Sequence, residues 1–207
     1  MLSFPQWLIE LTDIINKIAV AVAAVLGIIG LWKWRAELIG KTKFEVARKM
    51  ILLALQFRDE YGRTRNAWTY PGEWSDRKTS DDETRNESQV LNEYYARSRR
   101  LIPLQETLRK FYEVSWEAEV ILSDKDAELV QLFEKLFKDL YVTMEMFFDA
   151  QLNQAKNSLL GKFVDDVSND QMKNWRKIIY GISEDEISKL ADDAADTVKK
   201  QLRKYIR

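Results

Sequence analysis

IAVAVAAVLGIIGLW, residues Ile18 to Trp32, is an uncharged run that ends at once on Lys33, Trp34 and Arg35. As a helix these residues rise about 22 Å, short of the roughly 30 Å hydrocarbon core of a bilayer. A span must therefore begin earlier, and Leu8, Ile9, Leu11, Ile14 and Ile15 supply the missing apolar length. The extended segment sets Trp7 at one end and Trp32 and Trp34 at the other, where amphipathic rings suit the two interfaces. It also takes in Glu10, Asp13, Asn16 and Lys17. Charges are tolerated in a membrane helix near an end or against a partner, and Asp13 and Lys17 stand i,i+4 for pairing. The expectation is a membrane anchor over residues 1–35, marked by Trp7, Ile18, Gly27, Gly30, Trp32 and Trp34.

Two rivals are weaker. Ala21-Val22-Ala23 has the small-residue pattern of a signal-peptide cleavage site, but the residues before it are acidic and the apolar run continues past it. A buried core helix would place Gly27 and Gly30 among Ala, Val and Ile, a composition better suited to lipid. Projected at 100° per residue, Lys17, Ala21 and Ala24 share a side, and Ala19, Ala23 and Gly27 form a small-xxx-small series. With Asp13, these mark a candidate face for helix association.

Flanking charge gives an orientation. The stretch Lys33 to Lys49 holds Lys33, Arg35, Lys41, Lys43, Arg48 and Lys49 against Glu37 and Glu45. By the positive-inside rule the short N-terminus faces out and the bulk of the chain is cytoplasmic, with Lys33, Arg35, Lys41 and Lys43 at the lipid headgroups. The sequon Asn86-Glu87-Ser88 is then a chance match, on the wrong side for glycosylation.

Composition narrows the chemistry. The 207 residues carry 32 Lys and Arg against 33 Asp and Glu, a balance that does not favour nucleic acid. There is no His and no Cys, which removes thiol nucleophiles, imidazole bases, the usual zinc sites and disulfides. A carboxylate-only magnesium or calcium site survives that exclusion. Seven Gly and three Pro argue against an all-β fold and its many tight turns.

Residues 36–207 suffice for one helical domain. Val46, Met50, Leu53, Phe57 and Tyr61 form a helical stripe in a segment that continues from the anchor to about Asn66. Residues 68–83, with Pro71-Gly72, read as a flexible loop of unusual length. Residues 84–122 form one kinked helix or two, because Pro103 lies inside; beyond it Leu104, Leu108, Phe111, Ser115, Ala118 and Leu122 make a core seam. Ser123 is placed to cap a long helix with Phe133, Phe137, Leu140, Met144 and Phe147 inward. Ser168-x-x-Gln171 and Ser183-x-x-Glu186 match capping boxes, and Gly181 between them suits a helix end. The last helix carries Ile187, Leu190, Ala194 and Val198, acidic residues first and Lys199, Lys200, Arg203, Lys204 and Arg207 last. That order complements the helix dipole, and contact of the basic end with anionic lipid is the second reading.

Several partial motifs are decoys. Gly40-Lys41-Thr42 ends like a phosphate-binding loop, but Arg35 stands where the motif needs Gly and the context is helical. Glu113 and Glu117 form no complete metal set without His, and a solvated helix face explains them better. Arg97, Arg99 and Arg100 beside Tyr94 and Tyr95 could hold phosphates, but acidic residues surround them.

The segment WKWRAELIGK (Trp32 to Lys41), continuing through Ala47-Arg48-Lys49 to Arg63-Thr64-Arg65-Asn66, resembles a group of uncharacterised bacterial one-pass membrane proteins. In that group a Trp/Lys/Arg-rich exit from the membrane leads into a long helix ending near an Arg-Asn pair. The resemblance covers the first third of the chain and implies a bacterial inner-membrane setting with no assigned activity.

The sequence thus predicts an all-α protein: an N-terminal transmembrane helix followed by a cytoplasmic antiparallel bundle of four to six helices, the first of them long. The expected function is a membrane-anchored interaction or scaffold protein, not an enzyme, with no cofactor. Its partners are the lipid bilayer and either a protein or a second copy of itself, with no nucleic acid. One alternative is a pore-forming effector that oligomerises through the N-terminal helix, motivated by the polar stripe Glu10, Asp13, Lys17. Another is a metal-dependent enzyme built on the loop carboxylates Asp76, Asp81, Asp82 and Glu83.

Overall fold

The computed structural model describes residues 6–159, 167–181 and 185–206, and of 6–14 and 158–159 the backbone only. The side chains of Trp7, Glu10 and Asp13, and the residues Ser183 and Arg207, lie outside the described residues. The protein is all-helical, with no strand among the described residues. Its helices are α1 (Gln6–Thr64), α2 (Arg85–Ile121), α3 (Asp124–Ala127), α4 (Val130–Leu159), α5 (Asn169–Ile179) and α6 (Glu186–Leu202). Short 3₁₀ turns occupy Pro71–Glu73 and Arg203–Tyr205. The chain divides into two units, Met1–Phe44 and Glu45–Arg207, and α1 runs through both.

In the first unit α1 contains no proline after Pro5 and is dominated by Ala, Leu, Ile and Val, so nothing interrupts its hydrogen-bond ladder. It is long and apolar enough to cross a membrane.

The second unit has one core. From α1 come Val46, Ala47, Met50, Ala54, Phe57 and Tyr61, all nearly inaccessible, with Leu53 only partly covered. Leu101, Leu104, Leu108, Phe111 and Ala118 of α2 meet Phe133, Leu136, Leu140, Met144 and Phe147 of α4. Phe133 is the hub, its ring 5.1 Å from Phe57 and 5.0 Å from Phe111. At another level Tyr94 of α2 donates to Glu145 of α4 at 2.7 Å and its ring lies 5.5 Å from Phe148.

Several boundaries differ from the sequence expectation. Of the two forms expected around Pro103, α2 takes the single helix, 37 residues from a reciprocal Thr84/Glu87 capping box, while other boundaries shift. Ser123 caps only the single turn of α3, and α4 begins at Val130. Leu136 rather than Phe137 is the deeper residue on α4. The start of α6 is capped by Asp185, whose carboxylate accepts from the Ser188 amide at 2.5 Å, in place of the expected box on Ser183. Leu190 is exposed, and α6 buries Ala191, Ala194, Ala195, Val198 and Leu202. The expected loop 68–83 is tied down by three ion pairs: Arg100 with Glu73, Arg99 with Asp76, and Arg77 with Glu83.

Candidate membrane interface and the buried charge clusters

Every residue from Ile15 to Lys41 is exposed within the chain. Val20 is 70% accessible, Leu26 63%, Trp32 77% and Trp34 63%. Apolar side chains on all faces of one helix have two stable surroundings, a large protein core or lipid, and the described residues supply no core for them. Ile18, Trp32 and Trp34 thus lie on bare helix surface. A methyl group added at Gly27 or Gly30 would meet nothing within 4 Å. The candidate association residues Lys17, Ala19, Ala21, Ala23, Ala24 and Gly27 are equally exposed, as are Lys33, Arg35 and Lys41, with Lys43 half-buried. Gly40, Lys41 and Thr42 are interior helix, where the Thr42 hydroxyl donates to the Leu38 carbonyl at 2.9 Å.

Among its described residues the second unit holds buried charge clusters around Arg65 and Asp126 that the sequence does not announce. Arg65, just past α1, is wholly buried with all five donors engaged. Its Nε donates to the Ile178 carbonyl and one Nη to that of Lys177, both at the end of α5. The two Nη atoms also fork onto the Asp185 carboxylate at 3.1 and 2.7 Å, and one reaches Ser188. A single side chain therefore caps α5 and holds the start of α6. Its own carbonyl accepts from the Gly181 amide at 2.6 Å. Glycine suits position 181, where a Cβ would come within 3.2 Å of the Arg65 Cβ and crowd it. Burial pushes the Asp185 carboxyl upward, but bonds from Arg65 and Ser188 outweigh it and leave the group at about 2.

Arg97 is also buried, stacked 4.2 Å over the Tyr180 ring and donating to Glu93 and to the Asn66 and Ala67 carbonyls. Arg100 forks onto Glu73 and caps the Asn66 and Trp68 carbonyls. The guanidinium groups that sequence reasoning flagged as a phosphate-binding pattern are occupied by carboxylates and backbone carbonyls.

The second cluster centres on Asp126, whose side chain is inaccessible. It accepts from Ser123, Gln201, Lys204 and Tyr205 at 2.7 to 3.3 Å, fastening the end of α6 to the α2–α3 turn. Burial raises this carboxyl, and its four donors together bring it below the ordinary range. Glu113 pairs with Arg109, and Glu117 with Lys49. Among the described residues no group of three or more Asp or Glu is arranged to hold a metal ion.

An open groove of about 730 Å³ lies between α4 and α6, floored by Leu129, Leu132, Leu136 and Ala194 with the exposed Leu190 at its edge. No protein-family model matches this chain, and comparison with curated proteins and with solved structures likewise gives no match.

Proposed function

We propose that this protein is a membrane-anchored helical interaction or scaffold protein, held in the bilayer by α1 and presenting its second unit at the cytoplasmic face of a bacterial inner membrane. The observation that carries the reading is the apolar stretch of α1, long enough to span and bare on every side within the chain. The basic exit at Lys33, Arg35, Lys41 and Lys43 favours an outward N-terminus. Tyr94 meeting Glu145 and Phe148, while Phe111 meets Phe133, supports an antiparallel pairing of α2 with α4 and thus a bundle. The groove between α4 and α6 supports recognition of a protein surface, with no cofactor and no catalysis invoked. Self-association through the Ala19, Ala23, Gly27 face of α1 is the homotypic form of the same reading.

The full chain is expected to remain in the membrane pellet through alkaline carbonate and high salt, and the chain lacking Met1 to Arg35 to leave it. Extraction of the full chain by carbonate or salt alone overturns the anchor.

A further inference from the structure

We infer that the C-terminal end of α6 docks the second unit onto an anionic phospholipid surface. The inference rests on the anchor reading, and adds to it a second, electrostatic contact. Lys199, Lys200, Arg203 and Lys204 are exposed at this end, and the first three make no ion pair among the described residues. Gln201 and Tyr205 bind Asp126, so the basic end lies against the α2–α3 turn. Lys49 pairs with Glu117 at 3.1 Å, which brings the first turns of the unit beside the last turns of α2. The basic end of α6, the α2–α3 turn and the point where the chain enters the unit therefore share one end.

That end also leaves apolar surface bare. Trp116 and Val120, i,i+4 on α2, are 63% and 86% accessible. Complementing the helix dipole accounts for the order of charges along α6 but not for an uncovered tryptophan and valine. Lysines, an arginine and an exposed tryptophan at one end of the unit have the composition of an interfacial membrane contact. Glu45, Glu119, Asp124 and Glu128 are exposed on the same elements, so the attraction belongs to the α6 terminus rather than to the whole end. Ten residues separate Trp34 from Glu45, at most about 35 Å even if fully extended, so the anchor keeps this end at high local concentration over the bilayer.

The chain has no cysteine, so Ile206→Cys gives a unique label at this end and Ser80→Cys one in the loop before α2. Full-length protein carrying either label is reconstituted in phosphatidylcholine vesicles with a headgroup quencher, with or without phosphatidylserine. The label at 206 is expected to be quenched only with phosphatidylserine and to be released by salt, while the label at 80 stays bright. One basic side chain near an anionic surface is worth roughly fivefold in partition, so Lys199→Glu with Arg203→Glu should lower docking by at least about 25-fold. Flotation with the vesicles is unchanged by that double substitution if α1 is the anchor. A label at 206 that stays bright on anionic vesicles, or is quenched equally after charge reversal, overturns the docking. Flotation only with anionic vesicles, lost on charge reversal, keeps the docking and overturns the anchor. Flotation with neither overturns both.

Discussion

At the scale of single residues, the second unit depends on a few charges placed where water cannot reach them. Arg65 bonds to two carbonyls of α5, the cap of α6 and a serine beyond it, so its loss orphans acceptors on two elements at once. Arg65→Met is expected to lower stability by about 3–5 kcal/mol, because the partners stay buried after the charge is gone. A urea midpoint measured in mild detergent reads this directly. Asp185 gives the same contact a pH signature. Its folded value of about 2 lies below the ordinary 3.8, so its contribution is full above about pH 4 and is lost as pH falls toward 2. The shift corresponds to about 2 kcal/mol. Stability of the native protein and of Asp185→Asn should therefore differ at pH 6 and converge toward pH 2; a difference that stays constant across that range refutes the assignment. Neither residue was legible as a site in the sequence. Arg65 and Asp185 stand 120 positions apart, and no local pattern reports a pairing at that separation.

At the scale of elements, what periodicity could encode was legible. The stripes on α1, α2 and α4 were readable because burial at 3.6-residue spacing repeats many times along one helix. Caps were half legible: Ser168 caps α5 as its spacing suggests, whereas Asp185 replaces Ser183 because an acidic cap also binds Arg65. The sequence left open whether α2 continues through Pro103, since a proline inside a helix is tolerated only when tertiary contacts hold it. Thr64 supplies one such contact, its hydroxyl donating to the Arg100 carbonyl at 3.1 Å in the turn before the proline. Replacing Pro103 with Ala restores an amide donor and removes the ring's clash with the preceding turn. The expected result is a gain of about 1–3 kcal/mol in thermal or urea unfolding, with helicity unchanged. A loss of stability would mean that the proline's restriction of the unfolded chain outweighs the missing hydrogen bond, since the ring itself is exposed.

At the scale of the whole molecule, the two units differ in how far the chain covers their apolar side chains. Among the described residues between Glu45 and Tyr205 the chain covers its phenylalanines and most of its leucines, whereas from Ile15 to Ile39 it covers nothing. A charge placed in the middle of the bare stretch distinguishes a lipid surrounding from a solvated one. Val22 is 51% accessible and lies near the centre of the span from Leu8 to Trp32. In water, Val22→Arg on an exposed helix face should change stability by no more than about 0.5 kcal/mol and improve solubility. In hydrocarbon, an arginine at the helix centre costs about 2.5–3.5 kcal/mol of insertion free energy, roughly a hundredfold in partition. The expected outcome is a large shift of the variant from the carbonate-resistant pellet into the supernatant or into degradation products. Lys33→Ala, at the end of the span, should shift little, because only depth in the apolar region carries the penalty. Equal behaviour of the two variants would mean that this stretch of α1 faces water rather than lipid, and would overturn the anchor.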